Sequence, residues 1–176
     1  MTPRMMPNND LPSGLLNLPK VQLSLLEKSN LLEATNWAND FSFAQIEKLA
    51  EYIDAFQAPK NTVLFYEGDR NAYLVLIVIG EVHVIKFDAL RNPKHIATLG
   101  PGKVIGEMCI IDGEPRSASA VTASDATLLV MTAERFERLV TEWPRVGIIL
   151  VLKIAKLMSQ YLRQTSGRLI NHLSAS

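Results

Sequence analysis

Hydrophobic residues are distributed differently in three successive parts of the chain. The first part begins with an aperiodic segment and continues with helical spacing. Residues 1–19 have no periodicity and contain four prolines and three asparagines, which predicts a disordered arm. Apolar residues then recur at helical spacing and predict a short helix over Val21–Leu32. Ser42 precedes Gln45 by three positions, and this capping box predicts the start of a second helix. We therefore expect N-terminal helices over residues 20–58.

The second part has the pattern of short strands. From Val63 to Met131 the apolar residues are mainly β-branched and aromatic. Turn signals separate the apolar runs at Glu67-Gly68-Asp69, Ile79-Gly80, Arg91-Asn92-Pro93, Gly100-Pro101-Gly102 and Asp112-Gly113. Strands at this spacing predict an all-β barrel or jelly roll over residues 59–131. Within one strand, Val82 and Val84 should point to the same face.

The third part is helical again, and its last helix has more apolar surface than one domain usually covers. Thr132 predicts a helix N-cap, and Pro144 suits the first turn of the next helix, so residues 132–176 should form C-terminal helices. Packing against the barrel explains one apolar seam, and a second seam predicts a homodimer across a twofold axis. The two seams are Leu150, Ile154, Leu157 and Tyr161, and Val151, Ala155, Met158 and Leu162.

Composition narrows the choice of partners and location. The 176 residues have a formal net charge of zero, so no basic bias points to nucleic acid. The single cysteine, Cys109, cannot form an internal disulfide, and we expect it to be a small buried apolar residue in a reducing, cytoplasmic setting. The N-terminus lacks the apolar core of a secretory signal. The longest apolar runs, YLVLIVI and GIILVL, are far too short for a membrane span.

The segment Gly106–Val121 concentrates chemistry suited to a sugar phosphate. A helix that begins near Gly106 leaves its first amides free to bind an anion, and glycine allows a close backbone approach. Arg116 can grip two phosphate oxygens, and Ser117 adds a hydroxyl donor. Glu107 would repel a phosphate and therefore needs a hydroxyl donor, such as a ribose 2′-OH. The alternative is a plain strand–loop–strand connection in which Glu107 and Arg116 form a surface ion pair.

The order of these motifs resembles the cyclic nucleotide-binding domain family, which includes catabolite activator protein, regulatory subunits of cAMP-dependent kinase and gated channels. Residues 105–118 are similar to the family's phosphate-binding cassette. The stretch VLFYEGDRNAYLVLIVIGEVHVIK resembles its opening strands, and LGPGKVIGE resembles its glycine-rich approach to the cassette. The resemblance covers roughly Leu49–Leu173.

This resemblance implies a mainly β fold, a jelly-roll-like β-roll (double-stranded β-helix) with N-terminal helices and a long C-terminal helix. It implies a ligand, cAMP or cGMP, and Ser117 rather than threonine after Arg116 favours cAMP. Ser119 and Ala120 are smaller than the family's usual residues and predict a looser wall behind the phosphate. The expected ligand-binding residues in the cassette are Gly106, Glu107, Met108, Cys109, Arg116, Ser117 and Ala118.

The resemblance also implies that the last helix contacts the base. In the activator branch of the family, a Thr-Ser pair on this helix contacts adenine, and Thr165-Ser166 looks like that pair. Counting without gaps from Pro144 instead places Tyr161-Leu162 at this position. We expect Thr165 and Ser166 to bind the base.

The same fold class also includes metal-dependent enzymes, which need a different set of residues. A metal-dependent cupin enzyme needs clustered imidazoles, but the chain has only His83, His95 and His172 and no His-x-His motif. We expect no catalytic residues, no metal and no cofactor beyond the bound nucleotide. Few residues follow Leu173, so we expect no direct DNA binding and an output through an unknown effector protein, or a chain that is a piece of a larger one. The alternative function is a partner-binding module that has lost its ligand.

Overall fold

The structure is a computed structural model, and it describes Leu15 and residues 18–174. Strands and helices follow one another along this part of the chain. The strands are β1 Lys20–Val21, β2 Asp54–Ala58, β3 Val63–Phe65, β4 Tyr73–Ile79, β5 Val82–Phe87, β6 Pro93–Leu99, β7 Val104–Ile105, β8 Ser119–Thr122 and β9 Ala126–Thr132. The helices are α1 Leu25–Glu33, α2 Phe43–Glu51, α3 Met108–Asp112, α4 Ala133–Glu142 and α5 Pro144–Ser174, and a 3-10 helix spans Asn36–Ala38.

The strands form two antiparallel sheets, as the predicted β-roll requires. One sheet has the order β1-β2-β9-β4-β7 and the other the order β3-β8-β5-β6. Val82 is fully buried between the sheets and Val84 packs against the same cluster, which confirms their shared face. With helices before and after the strands, the architecture is the predicted jelly-roll fold with flanking helices.

Strand β4 is apolar throughout, and both of its faces are buried over residues 73–77. Alternate side chains of a strand point to opposite faces. Tyr73, Val75 and Ile77 therefore lie in the cluster between the two sheets. Leu74 and Leu76 face the other way, into a second cluster formed with the helices. One short run of residues thus joins the β-roll to its helical cover.

The N-terminal predictions need three corrections. Leu15 is fully buried in the cluster between the sheets, so the predicted arm is too long; residues 1–14, 16 and 17 lie outside the described residues. Val21 belongs to β1 and pairs with Ala55, and the first helix begins only after the capping box at Ser24. Strand β2 falls inside the region predicted to be helical. In each case, pairing or packing with distant residues overrides the local pattern.

Several helix starts lie where the sequence predicts them. The Ser42 hydroxyl accepts a hydrogen bond from Gln45 N–H and the Gln45 side chain accepts one from Ser42 N–H, which completes the predicted capping box. The Thr132 hydroxyl caps α4, and Pro144 occupies the first position of α5. These signals act over three residues, so tertiary packing does not displace them.

The seams of α5 divide between core and solvent. Leu150 and Ile154 are 0% and 2% exposed and pack into the cluster between the helices and the five-stranded sheet. The opposite face leaves large apolar side chains in solvent, including Ile148 (59%), Leu152 (54%) and Leu162 (69%). Within the described residues, no helix combines the length and the apolar character needed to cross a membrane.

Candidate ligand-binding site

The backbone at Gly106 provides room for the arginine that enters the site. Gly106 follows β7 and has a φ of +75°, a conformation that other residues rarely adopt. A Cβ here would lie 2.2 Å from Nη1 of Arg116 and 2.7 Å from the carbonyl oxygen of Tyr73. The glycine is therefore required first by the approach of Arg116, a reason that its sequence motif does not reveal.

Arg116 is buried between two aromatic rings. Its guanidinium carbon lies 4.1 Å from the ring centre of Phe65 and 4.2 Å from that of Tyr73, and the residue is only 2% exposed. Nη1 donates a hydrogen bond of 2.9 Å to the carbonyl oxygen of Gly106. The backbone is anchored as well, because Arg116 N–H donates to the carbonyl oxygen of Asp69 at 2.8 Å and the Arg116 carbonyl oxygen accepts from Gly68 N–H at 2.9 Å. The guanidinium is therefore held in place by contacts within the domain.

Two donors of this arginine have no partner. Nε and Nη2 of Arg116 are buried and make no hydrogen bond. Leaving buried polar groups unpaired is costly, and proteins rarely do so without a reason. Nε and one Nη nitrogen form the edge of the guanidinium that binds two oxygens of an oxyanion. The orphaned donors therefore indicate an anion-binding site.

Glu107 lies beside this cation but is not part of a surface ion pair. It occupies the N-cap position of α3 and is 4% exposed. Burial raises the pKa of the Glu107 carboxyl, and its own backbone N–H and the charge of Arg116 only partly oppose the increase. The interpretation of Glu107 and Arg116 as exposed surface charges is therefore wrong. A buried carboxyl with a raised pKa gains from a hydroxyl partner that shares or donates a hydrogen bond.

The other predicted cassette residues line the same segment. Ser117 is exposed, and its hydroxyl lies 3.6 Å from Sδ of Met108, which is 38% exposed. Cys109 is a free, buried thiol, as its apolar character predicts, and Ala118 is half-buried. The structure thus brings Gly106–Cys109 and Arg116–Ala118 to one end of the β-roll.

The wall of Ser119 and Ala120, which the sequence predicts to be loose, contains a specific hydrogen bond. Ser119 is 4% exposed, and its hydroxyl accepts a hydrogen bond of 2.9 Å from Glu67 N–H. Ala120 is fully buried. The two small side chains therefore form a closely packed wall, because the Ser119 hydroxyl is hydrogen-bonded to the turn at Glu67-Gly68-Asp69.

The matching family model is described as "Cyclic nucleotide-binding domain", and it covers residues 55–142. That span contains the two halves of the cassette and both rings that hold Arg116. The chain belongs to the cyclic nucleotide-binding domain family. The resemblance inferred from the sequence is confirmed, and the family assigns cyclic nucleotide binding to this domain.

Relatives support the same family. The cyclic AMP receptor protein of Thermus thermophilus is 30% identical over 120 residues, 68% of this chain and 54% of the relative. The cAMP-dependent protein kinase regulatory subunit of Candida albicans is 29% identical over 129 residues, 70% of this chain and 27% of that protein. The chain therefore spans about half or less of the length of these relatives.

A solved structure matches nearly the whole cyclic nucleotide-binding domain. A cyclic nucleotide-binding domain from Methylobacillus flagellatus superposes with a TM-score of 0.79 at 28% identity, covering 92% of this chain and 93% of that one. The catabolite activator protein of Thermus thermophilus superposes with a TM-score of 0.69, also at 28% identity, covering 78% of this chain and 62% of that one.

Residues outside the cassette complete the site, and no local motif in the sequence marks them as part of it. Phe65 and Tyr73 come from β3 and β4 and are recognisable only as apolar strand positions. Burial raises the pKa of the Tyr73 hydroxyl to about 12, and the charge of Arg116 only partly opposes this increase. Lys86 donates a hydrogen bond of 3.1 Å to the Ser117 carbonyl oxygen and lies 3.7 Å from Glu67. Nothing in the sequence around Lys86 predicts its contact with Ser117.

The last helix approaches the cassette at Tyr161. Burial raises the pKa of the Tyr161 hydroxyl to about 12, and the charge of Glu107 contributes to the increase. Thr165 and Ser166 lie farther along α5 and are exposed. The Tyr161 hydroxyl thus lies close enough to the cassette to feel the charge of Glu107, and Tyr161 is the position obtained by counting without gaps.

The cupin alternative gains no support from the described part of the chain. No group of three or more His, Cys, Asp or Glu side chains there could hold a metal ion. His83 and His95, on the paired strands β5 and β6, contact each other with ring centres 5.0 Å apart. The His172 side chain lies outside the described residues.

Proposed function

We propose that this domain is a sensor for a 3′,5′-cyclic purine nucleotide and binds cAMP more tightly than cGMP. The observation that carries the proposal is the buried guanidinium of Arg116 with two unmade hydrogen bonds. A cyclic phosphate has one negative charge and two exocyclic oxygens, which Nε and Nη2 can bind together. Amides at the start of α3 add donors to the same anion.

Glu107 supplies the ribose contact in this proposal. Its carboxyl is buried next to the anion site, so the ligand has to bring a hydrogen-bond donor to it. The ribose 2′-OH meets this requirement. Glu107→Gln should weaken cAMP binding, and 2′-deoxy-cAMP should bind poorly to the wild type. The penalty for the deoxy ligand should shrink in the variant, because removing either partner breaks the same hydrogen bond.

Helix α5 supplies the base contact. Two positions are candidates, Tyr161 next to the cassette and the exposed pair Thr165 and Ser166. An aromatic ring can stack on the purine, whereas a Thr-Ser pair would form hydrogen bonds with it, from the same chain or from a partner. Preference for cAMP rests on Ser117 at the cassette and on the names of the two relatives, which refer to cAMP. A Thr165→Ala/Ser166→Ala variant that binds cAMP as tightly as the wild type would eliminate the pair.

The exposed face of α5 is the proposed homodimer interface. An apolar stripe of large side chains on one helix face is unusual for a monomer and typical of an interaction surface. The stripe consists of Ile148, Val151, Leu152, Ala155 and Leu162. Since the same helix approaches the ligand at Tyr161, ligand binding can change dimer geometry if the two states differ in affinity for the nucleotide.

The domain is proposed to act as a regulatory module with no catalytic function of its own. Its output then passes through the dimer or through a separate effector protein. Two facts support this: one relative is named a receptor protein and another a kinase regulatory subunit, and the exposed stripe lies on the helix that contains Tyr161.

Calorimetry on the ligand-free chain tests the ligand proposal directly. Titration with cAMP, cGMP and 5′-AMP should give tighter binding of cAMP than of cGMP. 5′-AMP should bind far more weakly, because its phosphate is not closed into a ring and carries additional charge. If neither cyclic nucleotide binds at about millimolar concentration, a free energy of only about 4 kcal/mol, the ligand proposal fails. The chain would then be an interaction module on the same fold.

A further inference from the structure

Two histidines converge on one hydroxyl on the four-stranded sheet. Nδ1 of His83 and Nε2 of His95 each lie 2.9 Å from Oγ1 of Thr98. The two ring nitrogens are therefore no more than twice that distance apart, and the ring centres are 5.0 Å apart in an edge-to-face arrangement. None of these residues takes part in the nucleotide site.

The strand pairing explains why the three side chains meet. His83 on β5 is directly opposite Thr98 on β6, so both side chains lie on the same face. A register shift between Val84 and Ile85 then brings His95 opposite Ile85. The bulge redirects the neighbouring side chains of a strand pair. As a result, His95 reaches the same hydroxyl from three residues before Thr98.

In this arrangement, at least one of the two imidazoles directs a nitrogen lone pair at the Thr98 hydroxyl. A threonine hydroxyl has one proton and can donate to only one of the two rings. The other ring donates its N–H to the oxygen, and it can free this nitrogen by moving the proton to its second ring nitrogen. A neutral imidazole nitrogen is a good ligand for zinc and copper.

We propose that His83 and His95 form a two-imidazole binding site for a divalent transition metal ion, with Zn²⁺ as its probe. Two imidazole nitrogens on one tetrahedral zinc lie about 3.3 Å apart, from a Zn–N distance of about 2.0–2.1 Å. His95 is exposed and His83 half-buried, so small side-chain rotations can close the gap while water or Thr98 fills the remaining positions.

The charges around the pair do not oppose a cation strongly. The lysines on the same two strands, Lys86 and Lys94, lie 3.7 Å from Glu67 and 3.5 Å from Asp88, respectively. Their positive charges are thus partly balanced by carboxylates. Only two protein side chains with strong affinity for the metal are present, so the site should be weaker than structural sites with four protein ligands.

Zinc titration of the tag-free full chain tests this site. Calorimetry at about pH 7.5 should detect one zinc ion per chain. His83→Ala and His95→Ala should each weaken binding at least about tenfold, because even changing a residue that only hydrogen-bonds to a metal ligand costs about that much. The matched control is His172→Ala, which removes the third histidine of the chain and should bind zinc like the wild type.

Two results would overturn the proposal. One is equal zinc affinity in the wild type and in a folded His83→Ala/His95→Ala variant, and the other is loss of binding in His172→Ala alone. If an alanine variant fails to fold, His83→Asn and His95→Gln keep polar side chains at the surface. The Cu²⁺-loaded wild type gives a second readout, because its electron paramagnetic resonance spectrum should show coupling to both imidazoles. A spectrum without imidazole coupling would also reject the site.

Discussion

Replacing Arg116 with leucine should remove most ligand affinity without destabilising the ligand-free domain. The guanidinium makes one hydrogen bond, to Gly106, and stacks on Phe65 and Tyr73. A charged hydrogen bond contributes about 1.5–3 kcal/mol, and each cation–π contact contributes about 0.5–2 kcal/mol. Against these, a buried cation with unmade hydrogen bonds costs several kcal/mol. Leucine also gains about 1.5–3 kcal/mol from burial, so the free energy of unfolding should be unchanged or higher.

The effect on the ligand has the opposite sign. Arg116→Leu removes a charge-assisted contact to a desolvated anion, which costs on the order of 2–5 kcal/mol. This corresponds to a Kd for cAMP that is about thirtyfold to several-thousandfold higher. Arg116→Lys keeps the charge but loses the planar fork of donors, so its affinity should fall between the two.

Two measurements on the same protein samples separate a binding role from a structural one. Calorimetry gives the Kd for cAMP, and denaturant unfolding without ligand gives the free energy of unfolding. Arg138→Leu is the matched control, because Arg138 is exposed, forms an ion pair with Glu142 at 3.2 Å and lies over the ring of Tyr52, 5.7 Å from its centre. An unchanged Kd in folded Arg116→Leu would refute the assignment. A loss of unfolding free energy as large as the loss of binding free energy would show that Arg116 serves the fold instead.

The carboxyl, the helix tyrosine and the exposed helix face each lead to a further prediction. Glu107→Gln should stabilise the ligand-free domain at neutral pH, because burial raises the carboxyl pKa above its ordinary 4.5. Because the folded pKa lies above the unfolded one, the protonated Glu107 carboxyl contributes fully to the free energy of unfolding below about pH 4.5, and this contribution is lost as pH rises through the folded pKa. Denaturant titrations should therefore show that the free energy of unfolding gained by Glu107→Gln grows with pH across that window. A gain that does not depend on pH would contradict this prediction. Tyr161→Ala should raise the Kd for cAMP about fivefold to 150-fold, from about 1–3 kcal/mol per stacked base, and calorimetry showing no change would exclude stacking. Leu152→Glu, at a side chain 54% exposed, should give a folded monomer by light scattering, whereas Ile154→Glu, at one 2% exposed, should prevent folding because it buries an unpaired charge. A dimer that persists in Leu152→Glu would place the interface elsewhere.

The exposure of α5 changes how its two seams are tested. From the sequence, replacing Ile154 and Leu157 with lysine could give a monomer or an insoluble protein. Ile154 is buried in the core and Leu157 packs against it, so we now expect the second result. The interface test therefore moves to Leu152 and its exposed neighbours.

Local signals in the sequence predicted much of the fold. The capping box at Ser42, the N-cap at Thr132 and the helix start at Pro144 each depend on residues within one helical turn. The β-roll and its cassette were also predictable, because the apolar alternation and the chemistry of Gly106–Ser117 are contiguous in the chain. Such features persist because the contacts that produce them are short-range.

Tertiary structure alone decided how the site is assembled and which surfaces are free. Phe65 and Tyr73 hold Arg116 from strands more than forty residues earlier in the sequence, and the fit of Gly106 depends on where that guanidinium lies. Val21 becomes a strand residue because Ala55 is available to pair with it, despite its helical spacing. Both seams of α5 are equally apolar in sequence, and only packing against the sheet and helices selects the one that is buried. Burial and long-range pairing depend on the whole fold, so residue spacing within one segment does not determine them.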